Sequence, residues 1–183
     1  MTPALGLSAA QAVQAAATRA QELGITVCLD VNFRSRLWTQ DEARRTLLRL
    51  ARNADILVAS ADELHLVTDD PALDENDAIA LLLSQGRREV VITRGGDGAS
   101  VTTAEGTVSA PARPVPVRDV VGAGDAFVSG YLSALLDGLG IEDRLQRAAT
   151  SGAFAVATRG DWEGLPTRHD LALLDCPAGA TLR

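Results

Sequence analysis

The sequence predicts an α/β fold, a mostly parallel sheet flanked by helices, and three observations carry that prediction. Short apolar runs rich in β-branched residues occur at Ile25–Asp30, Ile56–Ala59 and Val90–Thr93, the pattern of strands buried on both faces. Segments of helical periodicity alternate with these runs, which implies parallel βαβ units. Aromatic residues are only 3% of the 183, so the core must be built from Leu, Val, Ile and Ala, and a β-sandwich is disfavoured. A single domain of this length can bury roughly 70% of its unfolded surface.

Each element has its own signal. Ser8 to Leu23 reads as a helix capped by Ser8, with Val13, Ala16, Ala20 and Leu23 on one face and Gly24 ending it. Ile25–Asp30 is the first strand. Thr39-Gln40-Asp41-Glu42 has the capping-box spacing and starts a helix that reaches about Asn53. Ile56–Ala59 is the second strand. The acidic stretch Thr68–Asp77, broken by Pro71, reads as loop, and a short helix over Ala78–Ser84 is stopped by Gly86. Val90–Thr93 is the third strand. Ala99–Thr103 and Thr107–Ala110 pair as a hairpin across Glu105-Gly106. Pro111, Pro114 and Pro116 force an extended connection, after which Gly124–Leu136 and Glu142–Thr158 are helical and residues 176–183 are a frayed tail.

Composition narrows the partners. A net charge of −7 with no basic cluster argues against nucleic acid. No apolar run reaches the length of a membrane span, and the N-terminus has no basic region ahead of an apolar stretch. Cys28 and Cys176 lack metal-ligand spacing and fit reduced thiols, so a soluble cytoplasmic protein is expected. His65 and His169 have no accompanying ligand or nucleophile pattern.

In open α/β sheets, ligands bind beyond the carboxyl ends of the strands. Three such ends carry chemistry: Asp30-Val31-Asn32-Phe33-Arg34, Ser60-Ala61-Asp62-Glu63 and Thr93-Arg94-Gly95-Gly96-Asp97-Gly98. The most informative stretch is Asp119-Val120-Val121-Gly122-Ala123-Gly124-Asp125. Small residues at 122–124, where a helix begins, let unpaired amides and the helix dipole meet an anion such as a transferring phosphoryl group. Asp125, in the first turn, can take a proton from an attacking hydroxyl beside that anion. The plainer alternative is a tight turn with Asp125 facing the dipole. Likewise, Ser60 and Glu63 can form a simple capping box, and Arg34 can pair with a surface acid instead of a carboxylate or phosphate ligand. A dinucleotide-binding dehydrogenase is disfavoured, because no Gly-x-Gly-x-x-Gly follows the first strand.

The 119–125 segment resembles the signature of the ribokinase-like (PfkB) carbohydrate kinases, whose usual form is Asp-Thr-x-Gly-Ala-Gly-Asp. Three further stretches agree in order. Thr93–Gly98 resembles the family's nucleotide loop, Ser60–Glu63 its Asn-x-x-Glu motif, and Gly160–Pro166 the loop after the adenine-proximal helix. The resemblance implies a ribokinase-like, Rossmann-like sheet, with residues 1–183 forming one partial kinase domain that lacks the N-terminal part and lid. It implies Mg²⁺ and ATP as cofactors and Asp125 as catalytic base, with Gly122, Ala123 and Gly124 as the anion hole. Thr93, Gly95, Gly98 and Ser60 would meet the nucleotide, Glu63 would help organise Mg²⁺ through water, and Asp119 would sit beside a monovalent cation. Val120 replaces the usual Thr, leaving backbone oxygens for that cation, and Ser60 replaces the usual Asn.

Asp30–Arg34 with Leu37-Trp38 resembles the strand-end segment of the family's 2-keto-3-deoxygluconate kinases. The implied acceptor is a sugar or sugar acid bound by Asn32, Arg34 and Asp125 and phosphorylated on a primary hydroxyl. Trp38 reads as packing, and Trp162 as either packing near adenine or a loop anchor. The early strands and lid of complete members have no counterpart ahead of Ser8. The isolated chain is therefore expected to bind nucleotide weakly and turn over little. The alternative is a non-catalytic remnant that binds nucleotide or a protein partner. An uncovered sheet edge leaves a homodimer open.

Overall fold

The computed structural model describes residues 2–175, so the tail read at 176–183 lies outside the described residues. The chain divides into two compact units, one reaching Arg94 and including Ser100–Thr107, the other comprising Gly95–Ala99 and the chain from Val108 onward.

In the first unit a 3-10 turn, Thr2–Leu5, precedes α1 (Leu7–Glu22), β1 (Cys28–Asp30), α2 (Gln40–Ala51) and β2 (Ile56–Ser60). A 3-10 stretch at Ala61–Leu66, α3 (Glu75–Ser84) and β3 (Glu89–Thr93) follow. With β4 (Ala99–Thr103) and β5 (Gly106–Ala110) the sheet runs in the order β1-β2-β3-β4-β5. β2 lies parallel to both β1 and β3, with Leu57 opposite Leu29 on one side and Val90 on the other. Only Ala104 and Glu105 link β4 to β5, a connection short enough for nothing but a hairpin.

α2 and α3 pack on one face of this sheet. Ala43, Leu47, Ile79 and Leu82 meet Leu57, Ala59, Val90 and Ile92 in a core without solvent exposure to speak of. The Thr39 capping box forms as read: Glu42 accepts the Thr39 backbone N–H at 2.8 Å while its own amide donates to the Thr39 hydroxyl at 3.3 Å. The other end of α2 is closed by buried Arg87, whose guanidinium donates to the Ala51 carbonyl from Nε at 2.9 Å and from Nη2 at 2.5 Å. A cation there also complements the helix dipole.

Three differences from the sequence reading have a visible local cause. α1 starts one residue ahead of Ser8; Gly6 is its N-cap and no side chain caps it. The first strand spans Cys28–Asp30 rather than Ile25–Asp30, and all three residues are half-buried. The reason is local: α1 ends in a Schellman closure, with the Ile25 amide on Ala20 (2.9 Å), the Gly24 amide on Gln21 (3.0 Å) and Gly24 at φ 66°. Ile25 is thereby held by the helix, with 56% of its surface exposed. α3 begins at Glu75, inside the stretch read as loop, because Asp74 caps it through the Asp77 amide at 2.9 Å.

The second unit is organised by α4 (Ala123–Leu136) and α5 (Ile141–Val156), followed by a 3-10 stretch at Asp170–Asp175. Gly130 lets the two helices touch: a Cβ there would lie 2.6 Å from Ser151 Oγ and 2.9 Å from the Arg147 carbonyl. Tyr131, Ala134, Leu145 and Ala148 are buried, and Asp137 at the end of α4 receives Arg147 at 2.5 Å and Arg168 at 2.8 Å. No helix among the described residues is long and apolar enough to cross a membrane.

Candidate active site

In the first unit the parallel register brings the ends of β1, β2 and β3 to one edge of the sheet, with Ser60 opposite Thr93. Pairing extends one residue past β1, as the Val31 amide donates to Val58 at 2.9 Å. The chain then turns through Asn32, which has φ 42°, a left-handed conformation that Asn tolerates better than most residues. Phe33 follows, and its amide donates to Glu63 Oε1 at 2.6 Å. Glu63 Oε2 accepts the Ser60 amide at 2.9 Å. The capping box foreseen at Ser60 is therefore present, but the same carboxylate also reaches the β1 loop, a contact no local pattern announces. Arg34 is exposed and makes no side-chain ion pair or hydrogen bond within the described residues. Trp38 packs against the core, as read from the sequence.

Thr93 directs its hydroxyl to the Ala59 carbonyl at 3.5 Å. Arg94 is fastened by an ion pair with Glu75 and by donation to Ser100 Oγ at 2.9 Å. Cys28 is a free, half-buried thiol pushed up to about 12 by burial and by the nearby charges of Asp30 and Glu89, so it stays protonated and unreactive. Cys176 lies outside the described residues.

The second unit holds the two glycine motifs. Gly95 has φ 53° and open space around it. Gly98, at φ 93°, is demanded by packing: a Cβ would lie 2.1 Å from the Ala110 carbonyl. Gly122 is the N-cap of α4 at φ 76°, and a Cβ on it would lie 2.4 Å from the Asp161 carbonyl. Asp119 fastens the turn before α4 to the loop at Gly160. Its Oδ1 accepts the Val121 amide at 3.0 Å and its Oδ2 the Gly160 amide at 3.2 Å. Those bonds, the Val121 one foremost, hold its carboxyl below the usual carboxylate range.

At the start of α4 the amides divide into two groups. The Ala123 amide donates to the Val120 carbonyl at 3.3 Å, and the first helical bond is from the Ala126 amide to Gly122 at 2.8 Å. The amides of Gly124 and Asp125 precede that bond and have no carbonyl four residues back inside the helix. Gly124 is exposed with open space on its Cα, and the Asp125 carboxylate stands exposed in the first turn. This end of the helix can hold an anion and place a carboxylate beside it.

These residues fit a polyphosphate: the start of a helix with its dipole and an unobstructed glycine backbone at Gly124. They do not form a cage for a divalent cation. No group of three or more His, Cys, Asp or Glu among the described residues could hold one, and both Glu63 oxygens receive backbone amides. Magnesium characteristically keeps its waters and binds through phosphate oxygens, which suits such a site.

A family model described as pfkB family carbohydrate kinase matches residues 3–168. The chain is 38% identical over 156 residues to the aminoimidazole riboside kinase of Salmonella typhimurium, covering 82% of this chain and 48% of the relative. It is 37% identical over 153 residues to the 2-dehydro-3-deoxygluconokinase of Bacillus subtilis, covering 81% and 46%. Among solved structures it is similar to a putative ribokinase II from E. coli in complex with ATP and Mg²⁺, with a TM-score of 0.86 and 29% identity. That match covers 94% of this chain and 55% of the other. The chain thus spans about half the length of the curated relatives it matches.

Proposed function

The chain belongs to the pfkB family of carbohydrate kinases, and from that premise we propose that its residues carry out ATP-dependent phosphorylation of a primary hydroxyl on a sugar or sugar acid, with 2-keto-3-deoxygluconate the favoured acceptor. The observation that carries this reading is the start of α4, where the left-handed turn at Gly122 sets the first-turn backbone ahead of the helical ladder with an open Gly124 and the exposed Asp125 beside it. When bound, Mg·ATP supplies the phosphoryl group. The chain contributes position, charge and a proton acceptor. Asp125 accepts the hydrogen bond, and then the proton, of the acceptor hydroxyl. The Gly124 amide and the dipole of α4 hold the phosphoryl oxygens, while Gly122 and Ala123 maintain the turn. Thr93, Gly95, Gly98 and Ser60 are assigned to the nucleotide, and Asn32 and Arg34 to the acceptor, with Arg34 pairing with its carboxylate. Asp119 has a backbone amide on each carboxylate oxygen, and with Val120 beside it the backbone oxygens of the turn are what a monovalent cation is assigned to. The cytoplasm is the compartment that matches this chemistry and the free Cys28.

A second reading is nucleotide binding without turnover, since the open glycine backbone at the start of α4 can meet a polyphosphate whether or not a hydroxyl is activated beside it. Calorimetric ADP and ATP binding, combined with a coupled assay on 2-keto-3-deoxygluconate, separates the two. Under the kinase reading Asp125→Asn lowers kcat by about 10³-fold or more and leaves nucleotide affinity within about twofold. Nucleotide binding with no turnover by the unmodified chain supports the second reading. Undiminished turnover by Asp125→Asn overturns the assignment of the base.

A further inference from the structure

We propose that Glu63 is a positioning residue for the acceptor-binding segment, tying the turn after β1 to the end of β2, and that it is not a metal ligand. The inference rests on the acceptor role assigned to Asn32 and Arg34. Three observations carry it. Both carboxylate oxygens are engaged by backbone amides from different loops, Phe33 at 2.6 Å and Ser60 at 2.9 Å. Such charge-assisted bonds are among the stronger ones a carboxylate makes. Phe33 directly follows Asn32, whose φ of 42° is a conformation that surrounding contacts must sustain. Arg34, next in the chain, has no side-chain partner within the described residues to hold it. Its placement depends on the backbone of residues 32–34, which Glu63 ties to the end of β2 while Phe33 packs on the core.

The consequence is a division of labour. Removing the carboxylate frees the turn to relax toward extended backbone, so Arg34 no longer meets an acceptor carboxylate in a fixed geometry.

Hydrogen exchange on the chain, free of ligand, reads the tie directly. Amides of residues 32–34 and Ser60 exchange at least about tenfold faster in Glu63→Ala. Glu63→Gln, whose side-chain oxygen can accept only one of the two amides, lies between, and β3 (Glu89–Thr93) keeps its protection in both. Titration with 2-keto-3-deoxygluconate gives an acceptor affinity about tenfold weaker in Glu63→Ala, while the Mg²⁺ dependence of ADP binding moves by less than about twofold. Arg34→Ala removes most of the further loss from Glu63→Ala, since the two act through one contact. Unchanged exchange over 32–34, or a Mg²⁺ midpoint displaced about fivefold or more, overturns the proposal. If the unmodified chain does not bind the sugar acid, the acceptor assignment fails, and the exchange data still decide whether Glu63 holds the turn.

Discussion

The first two strands start from comparable apolar runs, Ile25–Asp30 and Ile56–Ala59, and end in opposite situations. β2 pairs on both sides and its first four residues are buried. β1 keeps three residues, all half-buried, and stands at the end of the strand order with one neighbour. Their helices diverge in the same way. α2 has a capping box and buries Ala43, Leu47, Leu50 and Ala51, whereas α1 has no side-chain cap and no buried residue. Leu5, Leu7, Leu23 and Ile25 remain exposed beside it. An apolar run thus reports what a segment could bury; the neighbours it acquires decide how much it does bury.

The largest effect should separate the two strands. Leu57, fully buried, loses about 2–5 kcal/mol on truncation to Ala, whereas Leu29→Ala in half-buried β1 costs about 1 kcal/mol, both read from urea unfolding. Equal losses would break the contrast. The helix starts give the next effect. Thr39→Ala removes the α2 cap at a cost of about 1 kcal/mol, and Ser8→Ala, inside α1, stays within about 0.5 kcal/mol. The smallest effect is one of pH. Hydrogen bonds from Thr39 hold the Glu42 carboxyl below its ordinary range. Its contribution is present above the unfolded pKa of about 4.3 and is lost as pH falls through the lower folded value. The Thr39→Ala penalty therefore shrinks in strong acid, while Ser8→Ala stays flat across the same range.

The site was legible to the degree that its determinants are local. The run Gly122-Ala123-Gly124-Asp125 announces a helix start open to an anion, because a left-handed glycine and a first-turn acid are properties of neighbouring residues. Ser60-x-x-Glu63 likewise announces a capping box. The reach of Glu63 to Phe33 spans 30 positions and that of Asp119 to Gly160 spans 41, and no spacing rule links such pairs. The ion pair between Arg94 and Glu75 was hidden for the same reason, since the start of α3 lay in a stretch read as loop. Nor could the motif show that the Ala123 amide serves the turn by donating to the Val120 carbonyl.

By itself the sequence determined the α/β class, the order of the strands and helices, the caps at Thr39 and Ser60 and the position of the signature turn, because periodicity, capping and glycine backbone freedom act over a few residues. Only the tertiary structure decided which apolar runs are covered, which glycines are required by a facing carbonyl, as Gly98 is by Ala110 and Gly122 by Asp161, and which loops one carboxylate joins. Those outcomes depend on atoms from distant segments competing for the same few ångströms, and that competition is settled only when the segments pack.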